Sequence, residues 1–144
     1  VIWHKPYDIP ALDAMITARE GNILQALGIE YGEIGDDFLK LRMPVDRRTH
    51  QVHGILHGGA TCVLAETAGS LASLMVIDLE HRYAVGSVIT ANHLRPVKDG
   101  YVAATARPVH LGKSKHVWDI VVHDDAGKLV AKCELTCAVT GKAG

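Results

Sequence analysis

The chain has 144 residues, 48% hydrophobic and 22% charged, with 15 Lys and Arg against 16 Asp and Glu for a formal charge of −1. That length fits one domain, residues 1–144, around one core, and the composition excludes an intrinsically disordered chain. The near-neutral balance excludes wholesale electrostatic binding to nucleic acid or to an anionic membrane surface.

No basic-then-apolar signal segment opens the sequence, and its apolar runs break at Gly, Glu, Ser or Asp short of the roughly 18 residues a bilayer span needs. The expectation is a cytoplasmic chain with no membrane partner. Cys133 and Cys137 would lie about 13 Å apart on a strand, too far for a disulfide, so reduced, buried thiols are expected.

The stretch DIPALDAMITAREGNILQAL has helical character, with Leu12, Met15 and Ile16 on one face, a break at Gly21 and a short turn through Leu27. Leu39, Leu41 and Met43 then alternate with Lys40 and Arg42 beyond the turn Gly35-Asp36-Asp37, which predicts a hairpin. A polar, histidine-bearing loop from Pro44 to about Leu56 precedes a helix from Gly58 to about Ile77. Four strand-like segments follow, at about Ala84 to Arg95, Tyr101 to Leu111, His116 to His123 and Lys128 to Val139. The turns between them, at Lys98-Asp99-Gly100, Gly112-Lys113-Ser114 and Asp124 to Gly127, predict a four-stranded antiparallel meander. The class is therefore α+β.

At about 3.6 residues per turn, Leu64, Ala68, Leu71 and Met75 share one face of the long helix, and Cys62, Glu66, Gly69, Ser70 and Ser73 share another. So many small residues predict close packing all round, and a Glu66 with little access to water. Burial of that kind raises a carboxyl pKa and suits it to act as general base or nucleophile. The start of the helix is informative as well. Backbone N–H groups at His57-Gly58-Gly59 lack intrahelical partners, carry the positive end of the helix dipole, and suit a carbonyl oxygen becoming an oxyanion.

Other signatures fail. The GKS at Gly112 to Ser114 has Arg107 where a phosphate-binding loop needs glycine, and G-x-S-x-G, H-E-x-x-H and G-x-G-x-x-G are all missing. His50, His53 and His57, with Cys62 and Glu66 downstream, match no common zinc spacing, so no metal is expected.

The run GILHGGATCVLAE, residues 54–66, resembles the hotdog-fold acyl-coenzyme A thioesterases, as do IGDDFLKLRMPVDRRTHQ, TANHLRPVKDG and HLGKSKHVWDI. The match runs from about Trp3 to Val139. It is nearest to the bacterial branch that hydrolyses aromatic acyl-CoA, such as 1,4-dihydroxy-2-naphthoyl-CoA in menaquinone synthesis and 4-hydroxybenzoyl-CoA.

The resemblance implies an antiparallel sheet wrapped around one central helix, and a thioester hydrolase with no cofactor beyond the coenzyme A of its substrate. Glu66 falls on the catalytic carboxylate, and Gly58 on the backbone N–H that polarises the thioester carbonyl. Gln51 and His57 orient substrate, and Ser70 assists Glu66. His93, Arg95, Lys113, Ser114 and Lys115 match regions that meet the CoA nucleotide, and relatives are commonly tetramers. The chain departs from the family at Gln51-Val52-His53, where a Gln-Pro pair and an apolar residue are expected, and this points to an altered acyl pocket.

Gly58 and Glu66 stand about 12 Å apart on one helix, yet each has to come within about 3 Å of one thioester. A homodimer, alone or within a dimer of dimers, with each site shared between subunits is the expected assembly. Two other readings use the same residues: a hotdog enoyl-thioester dehydratase or hydratase drawing on His57 and Glu66, and a non-catalytic acyl-CoA binding module. Glu66 placed mid-helix after His-Gly-Gly favours the thioesterase over both.

Overall fold

Local signals fix the first elements of the computed structural model, which describes residues 1–142. Helix α1 (Ile9–Thr17) starts where Asp8 Oδ1 accepts the Ala11 N–H at 2.8 Å. Helix α2 (Ile23–Leu27) is capped by Asn22 and closed by Gly28 at φ 73°, a left-handed conformation that glycine adopts without a steric penalty. Leu12 and Ile16 are buried, whereas Met15, expected on the same face, is 40% exposed because only part of so short a helix faces the sheet. Strands β1 (Glu30–Ile34) and β2 (Leu39–Pro44) form the predicted hairpin, closed by Gly35 N–H donating to Phe38 O at 2.9 Å. Leu39, Leu41 and Met43 are wholly buried, each worth about 1.5–3 kcal/mol of hydrophobic stabilisation.

Helix α3 (Gly58–Val76) runs for 19 residues beneath the sheet. Contrary to the sequence expectation, its length and mean hydropathy of 1.3 would suffice to cross a membrane, but half of that stretch is buried inside this chain, as in a core helix. The small-residue face is where the sheet comes closest. A Cβ on Gly69 would meet Leu135 Cδ2 at 2.6 Å, so any side chain there would force the buried Leu135 to shift.

Strands β3 (Arg82–His93), β4 (Tyr101–Leu111), β5 (Lys115–Asp124) and β6 (Leu129–Gly141) complete one six-stranded antiparallel sheet in the order β1-β2-β4-β5-β6-β3. The last three form a meander closed by the two predicted turns, but β3 does not join it. It pairs with β6 from Arg82↔Gly141 to His93↔Ala131, and β4 pairs instead with β2. The expected four-stranded meander is thus three strands and a crossover. The connecting residues 94–100 do not bond back across a hairpin. Leu94 donates to Val130 O at 2.8 Å, Val97 O accepts from Leu56, and Gly100 O accepts from Val45, so the segment crosses the N-terminal end of α3.

Candidate active site

The loop before α3 is held on both flanks. Buried Thr49 donates through Oγ1 to Pro44 O at 2.8 Å, its carbonyl accepts the His57 N–H at 2.8 Å, and Leu56 donates to Val97. Gln51 serves the loop itself, with its side-chain oxygen accepting the His53 N–H. These bonds fix where α3 begins.

His57 is the N-cap, and its Nδ1 accepts the Gly59 N–H at 2.7 Å. An accepting Nδ1 places the ring proton on Nε2, which leaves that N–H free for a ligand. Among the described residues the Gly58 N–H has no acceptor. It opens on a cleft of about 250 Å³ lined by Leu56, Gly58, Thr61, His93, Arg95 and Val130. A Cβ on Gly58 would stand 3.0 Å from His93 Nε2, so the bare backbone lets the imidazole approach the helix end.

Glu66 lies two turns on, about 12 Å along the axis, beside a separate cleft of about 290 Å³ lined by Ile23, Cys62, Val63, Glu66 and Thr67. In the single chain Glu66 is exposed, which corrects the expectation of a covered carboxylate. The cause is topological: Glu66 points past the edge strand β3, where its carboxyl group lies beside Gly86. Ser70, expected to assist it, is half-buried and forms no hydrogen bond with Glu66 among the described residues. Burial raises the pKa of the Cys137 thiol, and the neighbouring Ser70 and Ser73 hydroxyls partly offset that rise. Cys62 is likewise raised, first by burial and then by the Glu66 charge, and burial pushes Cys133 up to about 11. All three cysteines are free thiols.

The expected CoA contacts separate into two groups. His93 and Arg95 share the Gly58 cleft, whereas Lys113, Ser114 and Lys115 sit at the opposite end of β3, where Arg82 donates to Lys113 O. Arg82 and His93 bound β3 and are roughly 35 Å apart along an extended strand, so one chain does not gather both groups around one nucleotide. The loop histidines do not converge on a metal. His50 Nε2 bonds Lys98 O at 2.8 Å and His57 caps the helix, while the described residues that gather ligand atoms are Asp78, Glu80 and His81.

Sequence reasoning missed two features. One is buried: Ser73 Oγ accepts from Trp118 Nε1 at 2.6 Å and meets His116 Nδ1 at 3.0 Å, joining α3 to β5. The signal was the inward alternation of His116 and Trp118 with Ile120. The other is Gly86 beside Glu66, for which a glycine interrupting a strand pattern was the available cue.

The thioesterase superfamily matches residues 53–131, from the end of the loop through α3 and β3 to β5 into the start of β6. The 1,4-dihydroxy-2-naphthoyl-CoA hydrolase of Escherichia coli is 42% identical over 139 residues, 96% of this chain and 99% of that one. The proofreading thioesterase EntH of Cronobacter turicensis is 41% identical over 141 residues, 98% of this chain and 100% of that one. The crystal structure of a mutant of thioesterase PA1618 from Pseudomonas aeruginosa superposes with a TM-score of 0.94 at 42% identity, covering 99% of this chain and 100% of that one. With these matches and one long helix under an antiparallel sheet, the chain belongs to the thioesterase superfamily: it is a hotdog-fold hydrolase of thioesters.

Proposed function

We propose that this thioesterase hydrolyses an aromatic acyl-CoA to the free acid and CoA, in a site assembled from two subunits. The Gly58 N–H of one subunit binds the thioester carbonyl oxygen and stabilises the negative charge that develops on it. Glu66 of the other supplies the carboxylate. As nucleophile it attacks the carbonyl carbon, the C–S bond breaks, CoA leaves as the thiolate, and water cleaves the resulting anhydride. As general base it takes a proton from the water that attacks instead. Either route consumes one water and yields acid and thiol.

The observation that carries this reading is the separation of Gly58 and Glu66 into two clefts of one helix. A two-fold pair in which the helices run in opposite directions brings each Gly58 to the partner's carboxylate. It also covers the exposed Glu66 and the outward Val85 and Val88 of edge strand β3. His93 and Arg95 stand beside the carbonyl cleft, and Lys113, Ser114 and Lys115 meet the nucleotide phosphates across subunits. The aromatic acyl group is supported by the E. coli relative, which is named for a naphthoyl thioester.

The test is subunit complementation followed by thiol release. Glu66→Ala and Gly58→Pro, the latter removing one N–H in a first turn that tolerates proline, are each expected to be folded and inactive. Mixed under exchange, about half the dimers pair one of each and carry one intact site of two, so roughly a quarter of wild-type activity returns. No recovery from folded, exchanging variants sinks the shared site. Loss of enoyl absorbance without thiol release would point to hydration instead.

A further inference from the structure

The Glu66 carboxylate has no hydrogen-bond partner among the described residues to hold it, yet one surface limits where it can lie. A Cβ built on Gly86 would stand 3.3 Å from Glu66 Cγ, 3.3 Å from Cδ and 3.4 Å from Oε2, and no other atoms come as close. Gly86 is not among the glycines with positive φ, so the backbone there would accept an L side chain. The strand therefore has no conformational need for glycine at this position. What a side chain would disturb is the Glu66 carboxyl group.

The local strand geometry is irregular at the same place. The β3–β6 register slips between Gly86 and Val88, leaving Ser87 as an extra residue in a bulge, and Ser87 Oγ bonds Thr136 O at 3.1 Å. Bulges re-aim the residues beside them and occur next to active sites.

We infer that Gly86 is a positioning residue for the reaction: by lacking a side chain at the bulge, it gives the Glu66 carboxylate a bare stretch of β3 backbone to lie against. This rests on the reading of Glu66 as the reacting carboxylate. A methyl group at Gly86 shifts the carboxyl group by a few tenths of an ångström, and a misplacement approaching 1 Å costs about 10²-fold in rate. Substrate binding, which depends on the other cleft and on the cations, is left alone.

The experiment is a cycle of Gly86→Ala, Glu66→Gln and Glu66→Asp, measured by thiol release with Tm recorded for each variant. Gly86→Ala is expected to lower kcat by about tenfold or more, keep KM within about threefold and leave Tm unchanged or raised. In the Glu66→Asp background, where the side chain is one methylene shorter and the clash is relieved, adding Gly86→Ala is expected to cost less than about threefold. A kcat for Gly86→Ala within about threefold of wild type, beside an inactive Glu66→Gln, overturns this inference and leaves the Glu66 reading standing. An active Glu66→Gln overturns that reading itself. A lowered Tm, or the same loss in the Glu66→Asp background, shows that the methyl group acts elsewhere and also overturns the inference.

Discussion

Two polar clusters on α3 have opposite fates. Toward its C-terminal half, Ser73, His116 and Trp118 are at most 2% exposed, and the serine hydroxyl joins both aromatic partners. At its N-terminal half, His57 and Glu66 are exposed, the Gly58 N–H has no acceptor among the described residues, and open clefts lie alongside. The closed cluster spends its hydrogen-bonding capacity on joining helix to sheet, while the open one keeps part of its own unspent. Burial of a polar side chain on this helix is thus a sign of architecture, and an unpaired donor beside a cleft a sign of chemistry.

Substitutions at the two clusters should separate activity from stability. Glu66→Ala is expected to lower kcat by at least about 10²-fold with Tm held, as thiol release and calorimetry would show; more than a tenth of wild-type kcat would be too much for a nucleophile or base. Ser73→Ala is expected to do the reverse. It strands the Trp118 N–H and one His116 nitrogen, costing about 2–4 kcal/mol in denaturant unfolding while kcat stays within about threefold. A Ser73→Ala variant that keeps its stability but loses turnover would dissolve the contrast.

Smaller effects sharpen it. Replacing Arg95, Lys113 and Lys115 together by Ala is expected to raise KM for acyl-CoA about tenfold and to leave a short pantetheine thioester unaffected, since only the former carries nucleotide phosphates. Equal effects on both substrates would assign these cations to the surface. The smallest is a pH effect on the closed cluster. Burial, aided by the Arg82 and His110 charges, holds the His116 pKa below its ordinary 6.5. Below 6.5 the unfolded chain binds a proton that the folded chain refuses, so stability falls as the pH is lowered, until the folded His116 itself titrates. On acidification below pH 6.5 Tm should fall more steeply for wild type than for His116→Gln, and parallel curves would remove His116 from the linkage.

Much of the fold was legible because its signals are local. The alternation of Leu39, Leu41 and Met43, the glycine turns and the small-residue helix each declare an element within a few residues of its observed bounds. The partner of β3 was not legible. Lys98-Asp99-Gly100 has the composition of a hairpin turn, but its hydrogen bonds go to residues more than thirty positions away, which no local pattern encodes. At the candidate site, the sequence around His57 to Glu66 singled out α3, whose N-terminal half lies beside two clefts, yet the exposure of Glu66 depends on β3 being an edge strand. The Ser73 cluster escaped for the same reason, since a serine on a helix shows its partners only once β5 is in place.

The crossover that separates β3 from β4 also has a consequence during synthesis. β3 is complete at His93, but its one strand partner among the described residues, β6, begins at Leu129. At translation rates of about 5–20 residues per second, β3 waits about 2 to 7 s with neither side paired and with Val85 and Val88 outward. An unpaired, valine-bearing edge is a template for strand addition from another chain. The interval between making β3 and making β6 is therefore one in which the nascent protein is open to aggregation through this edge.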